Sequence, residues 1–392
     1  MTGPTPQRDA TIDGLRGAAI SVVLLLHFAL AFGLTDSALG DLLGKPLLRA
    51  IVLNGNYGVT VFFVVSGYLI TRGLIDRHGD LSTVQLLPFY VARSGRILPP
   101  LLLALGIIVP LGLAGVPFFD NSDGQVLRPA GFWWPAVGSV LTFWHNQLMQ
   151  SAGYFNYCLN VYWSLSVEEV FYLTLPGLCL LLRREVWLVA ALGVLVLMGP
   201  AYRAQHPDNE IAYLYAYPAC FDAIALGCLC ALASRRWSVS WRVARVLAPL
   251  AATAMVATYL VGFADHPVVG FSAMAGATAL FIWATRAWPA GRAPSGAGPG
   301  GAHWAVLVTW PWRWLGRHSY EIYLFHIIVL AGMRQLFDRA TLDRDWRLPL
   351  LIGFGLASAG VAAIVSRHFA EPINRWWRQR WSGPTLPRPV AR

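Results

Sequence analysis

"FWWPAVGSVLTFWHNQL", Phe132 to Leu148, is the stretch on which the topology of this chain turns. It is apolar enough to be weighed as a membrane crossing, and it is surrounded by stronger candidates. The chain has 392 residues, 56% of them hydrophobic and 13% charged, with 17 Trp and a mean hydropathy of +0.52. Soluble domains rarely combine so little charge with so much apolar surface. Runs near the length needed to cross a bilayer recur around 14–34, 55–75, 97–117, 160–182, 186–202, 213–233, 246–263, 267–287, 318–337 and 348–368. A segment in lipid must satisfy its own backbone, so the runs read as helices. If 132–148 does not cross, the basic residues sort by side. Eight (Lys45, Arg49, Arg128, Arg203, Arg334, Arg339, Arg344 and Arg347) fall on one face and the remaining 22 of the 30 on the other. If it does cross, Arg183, Arg184 and every later cluster change sides. The excess of positive charge on cytoplasmic loops favours the first arrangement. The fold class expected is therefore an all-α polytopic membrane bundle of about ten transmembrane helices. Both termini are cytoplasmic, and 132–148 is a Trp-rich re-entrant or interfacial segment on the outer side.

The formal charge of +10 does not indicate nucleic acid, because the basic residues lie between hydrophobic runs and form no patch interleaved with exposed aromatics. The cysteines at 158, 179, 220, 228 and 230 show no metal-type spacing with histidines and read as buried packing. No metal and no permanently bound cofactor is expected. The polar N-terminus does not resemble a signal peptide, so the first apolar run reads as a retained span. The Gly/Pro-rich stretch 289–303 reads as a flexible cytoplasmic linker within one domain at 9–376, with short polar tails at 1–8 and 377–392.

Ionisable residues in the spans carry the functional information, since burying one in a membrane costs about 2.5–3.5 kcal/mol on insertion scales. "RGAAISVVLLLH" places Arg16 and His27 eleven residues apart, on one helix face and separated by about 16 Å of rise. Asp13 precedes them as a possible partner for Arg16. "FFVVSGYLITR" holds the small pair Ser66 and Gly67, then Tyr68 and Arg72. "FYVARSGRILPP" holds Arg93 and Arg96, which with Arg72 suit a phosphorylated ligand. "YWSLSVEEVFYLTLP" carries Trp163, Ser164, Glu168 and Glu169, the two glutamates pointing about 100° apart, so that one of them would face any given site. Asp222 and His326 complete the set. Taken singly, each residue also fits packing or a charged flank. Together they place imidazoles and carboxylates within the membrane and arginines at its cytoplasmic rim.

These four stretches and a fifth, "SYEIYLFH" from Ser319 to His326, in this order, resemble the membrane-bound acyltransferase-3 family over about residues 9–376. The resemblance implies transfer of an acyl group, usually acetyl from acetyl-CoA, to a hydroxyl of a carbohydrate or glycosylated acceptor such as a surface polysaccharide or an antibiotic sugar. It also implies a multi-pass protein of a bacterial inner membrane. The family's Arg-x10-His pattern falls on Arg16 and His27, and its Ser-Gly-aromatic motif on Ser66, Gly67 and Tyr68. Its Arg-x-x-Arg motif falls on Arg93 and Arg96, and its Trp-Ser-Leu-x-x-Glu motif on Trp163, Ser164, Leu165 and Glu168. The late motif commonly has Trp before its histidine, where this chain has Phe325 before His326. Some relatives carry a C-terminal esterase-like domain, and none is expected here. On this reading His27 is the general base for the acceptor hydroxyl, with Glu168 orienting it. His326 and Glu169 are further catalytic candidates, and Arg16, Arg72, Arg93 and Arg96 hold the acyl-CoA. The competing class is a proton-coupled transporter or a flippase of a lipid-linked sugar, which also buries His and carboxylates.

Overall fold

The structure, a computed structural model, describes residues 9–264, 266–286 and 309–381. Ten long helices correspond to the ten predicted spans. They are α1 (Ala10–Phe32), α2 (Asn56–His78), α3 (Leu86–Leu113), α4 (Trp163–Leu182), α5 (Glu185–Gln205), α6 (Tyr217–Arg236), α7 (Trp241–Val261), α8 (Pro267–Thr285), α9 (Ser319–Leu336) and α10 (Arg347–Val365). An eleventh, α11, covers Glu371–Trp381. No strand occurs among the described residues, and the one isolated bridge joins Ser122 and Leu127. Nine helical stretches among the described residues are long and apolar enough to cross a membrane. The helix outside that count is α9, diluted by Glu321, His326 and Arg334. Its 18 residues still rise about 27 Å, close to the hydrocarbon thickness. The linker expected at 289–303 and the tail beyond 381 lie outside the described residues.

Segment 132–148 does not cross as one helix. It forms two short helices, Trp133–Leu141 and His145–Ala152, broken at Phe143, whose φ is 63°. Nine residues rise about 14 Å, half of what a crossing needs. Trp134 is 85% exposed, whereas Trp133 turns inward against Gly112.

Local signals set the ends of α1. Asp9 caps its N-terminus, accepting from the backbone N–H of Thr11 (3.0 Å) and of Ile12 (3.4 Å), and Gly33 ends it in the left-handed region at φ 64°. The third span begins earlier than expected. The apolar run placed its start near 97, but α3 runs from Leu86 with Pro99 and Pro100 inside. Arg93 and Arg96 therefore sit within the helix rather than on a flank. Neighbouring helices in a bundle re-satisfy the backbone groups that such prolines free.

At the centre α2 packs closely on α1 and α6. A Cβ on Gly67 would run into the carbonyl of Ile224, and one on Gly227 into that of Val64, so the two backbones touch where those glycines face each other. Gly67 is thus a packing residue. Arg203, read from sequence as part of an outer loop, is instead fully buried at the end of α5.

Candidate active site

Helices α1, α2, α3, α4 and α9 enclose a cavity of about 270 Å³. Arg16, Arg77, Arg93 and Arg96 reach it, as do Ser66, Ser164, Glu168 and Glu169. Both glutamates therefore line one site, contrary to the expectation that only one would, and they do so with different partners. Glu168 Oε1 accepts from Ser66 Oγ and from Tyr172 Oη, each at 2.5 Å. Glu169, nearly buried, takes the fork of Arg93, with Nη2 at 2.9 Å from Oε1 and Nε at 3.4 Å from Oε2. The Arg93 guanidinium also lies 3.2 Å from the centroid of the Tyr172 ring and 3.6 Å from Glu168 Oε1. Tyr172 sits one turn beyond Glu168 on α4, which explains how one helix builds this cluster.

This geometry reassigns three of the arginines. Arg93 is held by two carboxylates and a ring, so it is a strut of the site rather than a free ligand-binding cation. Removing it would leave Glu169 buried without a counter-charge, a change that costs about 3–5 kcal/mol. Arg96 makes no ion pair among the described residues and lines the cavity, which makes it the cleaner probe. Arg96→Ala should raise the donor concentration needed for half-maximal activity by about tenfold or more, the loss of one charged hydrogen bond to phosphate. Protein accumulation should hold, and an unchanged donor dependence would return Arg96 to a flanking role. Arg72 does not line the cavity. It donates to Tyr68 Oη at 2.9 Å and pairs with Asp76 at 3.4 Å. Arg77 does line it, a residue the sequence reading counted only among the basic residues of one side. Asp13 pairs with Arg317 at 3.2 Å rather than with Arg16, because Gly316 brings the chain of 309–317 onto the Asp13 backbone.

The histidines lie elsewhere. His27 and His326 face each other edge to face, with centroids 4.9 Å apart, and neither lines the arginine cavity. His27 Nδ1 bonds the Val23 carbonyl at 2.9 Å, and His326 Nδ1 bonds those of Tyr323 at 2.7 Å and Ile322 at 3.1 Å. A carbonyl only accepts, so both Nδ1 atoms carry a proton, and in the neutral form of each ring the lone pair lies on Nε2. His326 Nε2 is buried without a partner. The expected bond from Glu168 to His27 is absent, since Ser66 and Tyr172 occupy Glu168 and His326 stands against His27. Tyr323 divides the two centres. Its Oη accepts from Ser164 Oγ at 2.6 Å and donates to the Val161 carbonyl at 2.7 Å, and its ring lies 5.7 Å from that of His326. Glu168 is four residues from Ser164 in one direction and His326 three from Tyr323 in the other, which puts them about 10 Å apart along the bundle.

Trp163 and Asp222 serve other places. Trp163 packs on Phe63 and Tyr215. Asp222 pairs with the buried Arg203 at 2.7 Å and accepts from Ser272 Oγ at 2.7 Å. All five cysteines are free and buried, and no cluster suited to a metal occurs among the described residues.

Comparison with known proteins was made on this background. The profile of an acyltransferase domain family, acyltransferase-3, matches residues 9–367. The chain is 24% identical over 390 residues to a peptidoglycan O-acetyltransferase, OatA, of Listeria monocytogenes, covering 93% of this chain and 56% of that protein. It is 31% identical over 170 residues to an O-acetyltransferase, OatA, of Staphylococcus aureus strain NCTC 8325, covering 42% of this chain and 24% of that one. The chain thus spans about half the length of the first relative and a quarter of the second. No solved structure matches it significantly.

Proposed function

The chain belongs to the acyltransferase-3 family, enzymes that move acyl groups other than amino-acyl groups, and on that premise we propose that it carries acetyl from acetyl-CoA to a hydroxyl of a carbohydrate acceptor. The observation that carries this reading is the cavity in which Arg16, Arg77 and Arg96 face inward without a carboxylate in ion-pair contact, beside the hydroxyl-bonded Glu168. Such a rim suits the phosphates of a coenzyme. From there the pantetheine arm runs along the Ser66 and Glu168 wall and past Tyr323, a reach comparable to the roughly 16 Å of helical rise between Arg16 and His27. His27 Nε2 takes the proton of the acceptor hydroxyl as its oxygen attacks the thioester carbonyl. The C–S bond breaks, and the thiolate leaves and is protonated. His326 holds the His27 ring in place. The relatives named as O-acetyltransferases, one of them acting on peptidoglycan, favour a cell-surface glycan as acceptor.

Purified protein given isotopically labelled acetyl-CoA and candidate glycans tests the reaction, with mass spectrometry of the acceptor as readout. Label on an acceptor hydroxyl supports it. Passage of unmodified glycan across vesicles with no label transferred would favour the transport alternative. We place the protein in the bacterial inner membrane with both termini cytoplasmic. A reporter fused near Arg235 should read cytoplasmic and one near Gly262 external, and the reverse result would invert the arrangement.

A further inference from the structure

The sequence places a polar tail from residue 377 onward, yet the chain stays helical to Trp381. After α10 it passes through a π-helical turn at Ser366–Ala370 and continues as α11, all of which lies beyond the family match at 9–367. None of its residues is fully buried. It docks on α3 at one tight point, where the Trp377 indole lies over Gly95. A Cβ there would meet Trp377 Cδ1 at 2.5 Å, so only glycine permits the approach. The contact fixes a register. Arg96 follows Gly95, and Arg378 follows Trp377. Arg378 Nε donates to Asn374 Oδ1 at 3.1 Å, which steadies the side chain along its helix. Arg77 and Arg96 are its electrostatic neighbours, and both line the arginine cavity. Cations from α2, α3 and α11 therefore share one neighbourhood, and two of them, Arg77 and Arg96, line the cavity. None of them is in an ion pair among the described residues, and the indole N–H of Trp377 is buried there without an acceptor.

We propose that α11 completes the donor site, with Arg378 joining Arg77 and Arg96 to bind the phosphates at the nucleotide end of the acyl donor. The inference rests on the acyl-CoA reading above but is read out separately from it. A phosphate-bearing lipid headgroup offers the same chemistry, so the test separates the two sources. The full chain is placed in nanodiscs of neutral phosphatidylcholine, and binding of adenosine 3′,5′-bisphosphate is measured by calorimetry. Arg378→Gln should weaken that binding about tenfold, as expected for losing a charge-assisted contact. In turnover assays the KM for acetyl-CoA should rise by the same factor with kcat held. The KM for acetyl-pantetheine, which has no phosphate, should not move. Gly95→Leu, which displaces α11 and with it Arg378 without removing any arginine, should reproduce the effect. If Gly95→Leu reduces accumulation, Arg378→Gln carries the test alone. Unchanged bisphosphate binding in Arg378→Gln overturns the proposal. So does an equal change with both donors, which would make α11 a structural brace, or an effect seen only in vesicles with anionic lipid, which would assign Arg378 to the headgroups. Bisphosphate binding that depends on Arg378, in a protein with no acyl transfer, would uphold this inference and reject the reaction.

Discussion

His27→Gln should lower acyl transfer by about 10²–10⁴-fold while accumulation and donor binding persist. Glutamine has similar bulk and can still donate to the Val23 carbonyl, as His27 Nδ1 now does. What it cannot do is accept a proton near neutral pH. A residue placed there only to pack against His326 would tolerate the change. The measurement needs accumulation, bisphosphate binding and turnover on one preparation. Retention of most turnover would remove His27 as the base and turn attention to Glu168, about 10 Å away along the bundle. His326→Gln should cost less, because in the proposed mechanism its ring positions His27 and does not touch the acceptor.

The largest effect on stability is expected far from the chemistry. Asp222→Ala should destabilise the protein by about 3–5 kcal/mol, the cost of breaking a buried pair by removing one partner. Arg203 is fully buried, and its guanidinium is shared among Asp222, Ser272 Oγ and the Ala219 carbonyl. Without the carboxylate it is a charge inside the bundle with only neutral acceptors. Thermal unfolding in detergent and the amount of folded protein recovered from membranes read this out. Replacing both partners, Arg203→Met with Asp222→Leu, should recover much of the loss, since apolar groups of similar volume need no counter-ion. Normal melting of Asp222→Ala would show that Ser272 and the backbone suffice. Bisphosphate binding should be unaffected in whatever fraction folds.

What could be read from the sequence follows from the range of each signal. Apolar runs report a property of one helix, so all ten long helices were legible, and so was the failure of 132–148 to cross. The start of α3 was not, because the apolar run begins near 97, while the helix begins at Leu86 and keeps Pro99 and Pro100 inside, as a bundle tolerates. The residues lining the cavity were named in part. Arg16, Arg93, Arg96, Ser66, Ser164, Glu168 and Glu169 stood out as polar groups in apolar runs. Their pairing did not, since periodicity along α1 fixes where His27 points relative to Arg16 and says nothing of which helix stands opposite. Hence Glu168 was matched to His27, when its own helix supplied Tyr172 and α2 supplied Ser66. Arg77 and Arg203 were missed for a related reason. Each lies near a helix end, where a basic residue is the ordinary topological signal, and only the three-dimensional arrangement separates a cation in a cavity mouth or a buried pair from one in solvent.

The hydroxyl closure formed by Ser164, Tyr323 and Val161 has a bioenergetic consequence. A shaft of arginines, carboxylates and imidazoles open to water at both ends would conduct protons, and a cell that lives on its proton gradient could not keep many copies of such a protein. Tyr323 interrupts the polar path at its midpoint with an aromatic ring whose hydroxyl is already committed to Ser164 and to a backbone carbonyl. On the mechanism proposed above, the protein can thus hold both halves of its chemistry inside the bilayer and still insulate it, with passage between them opened by an arriving acyl arm rather than by water.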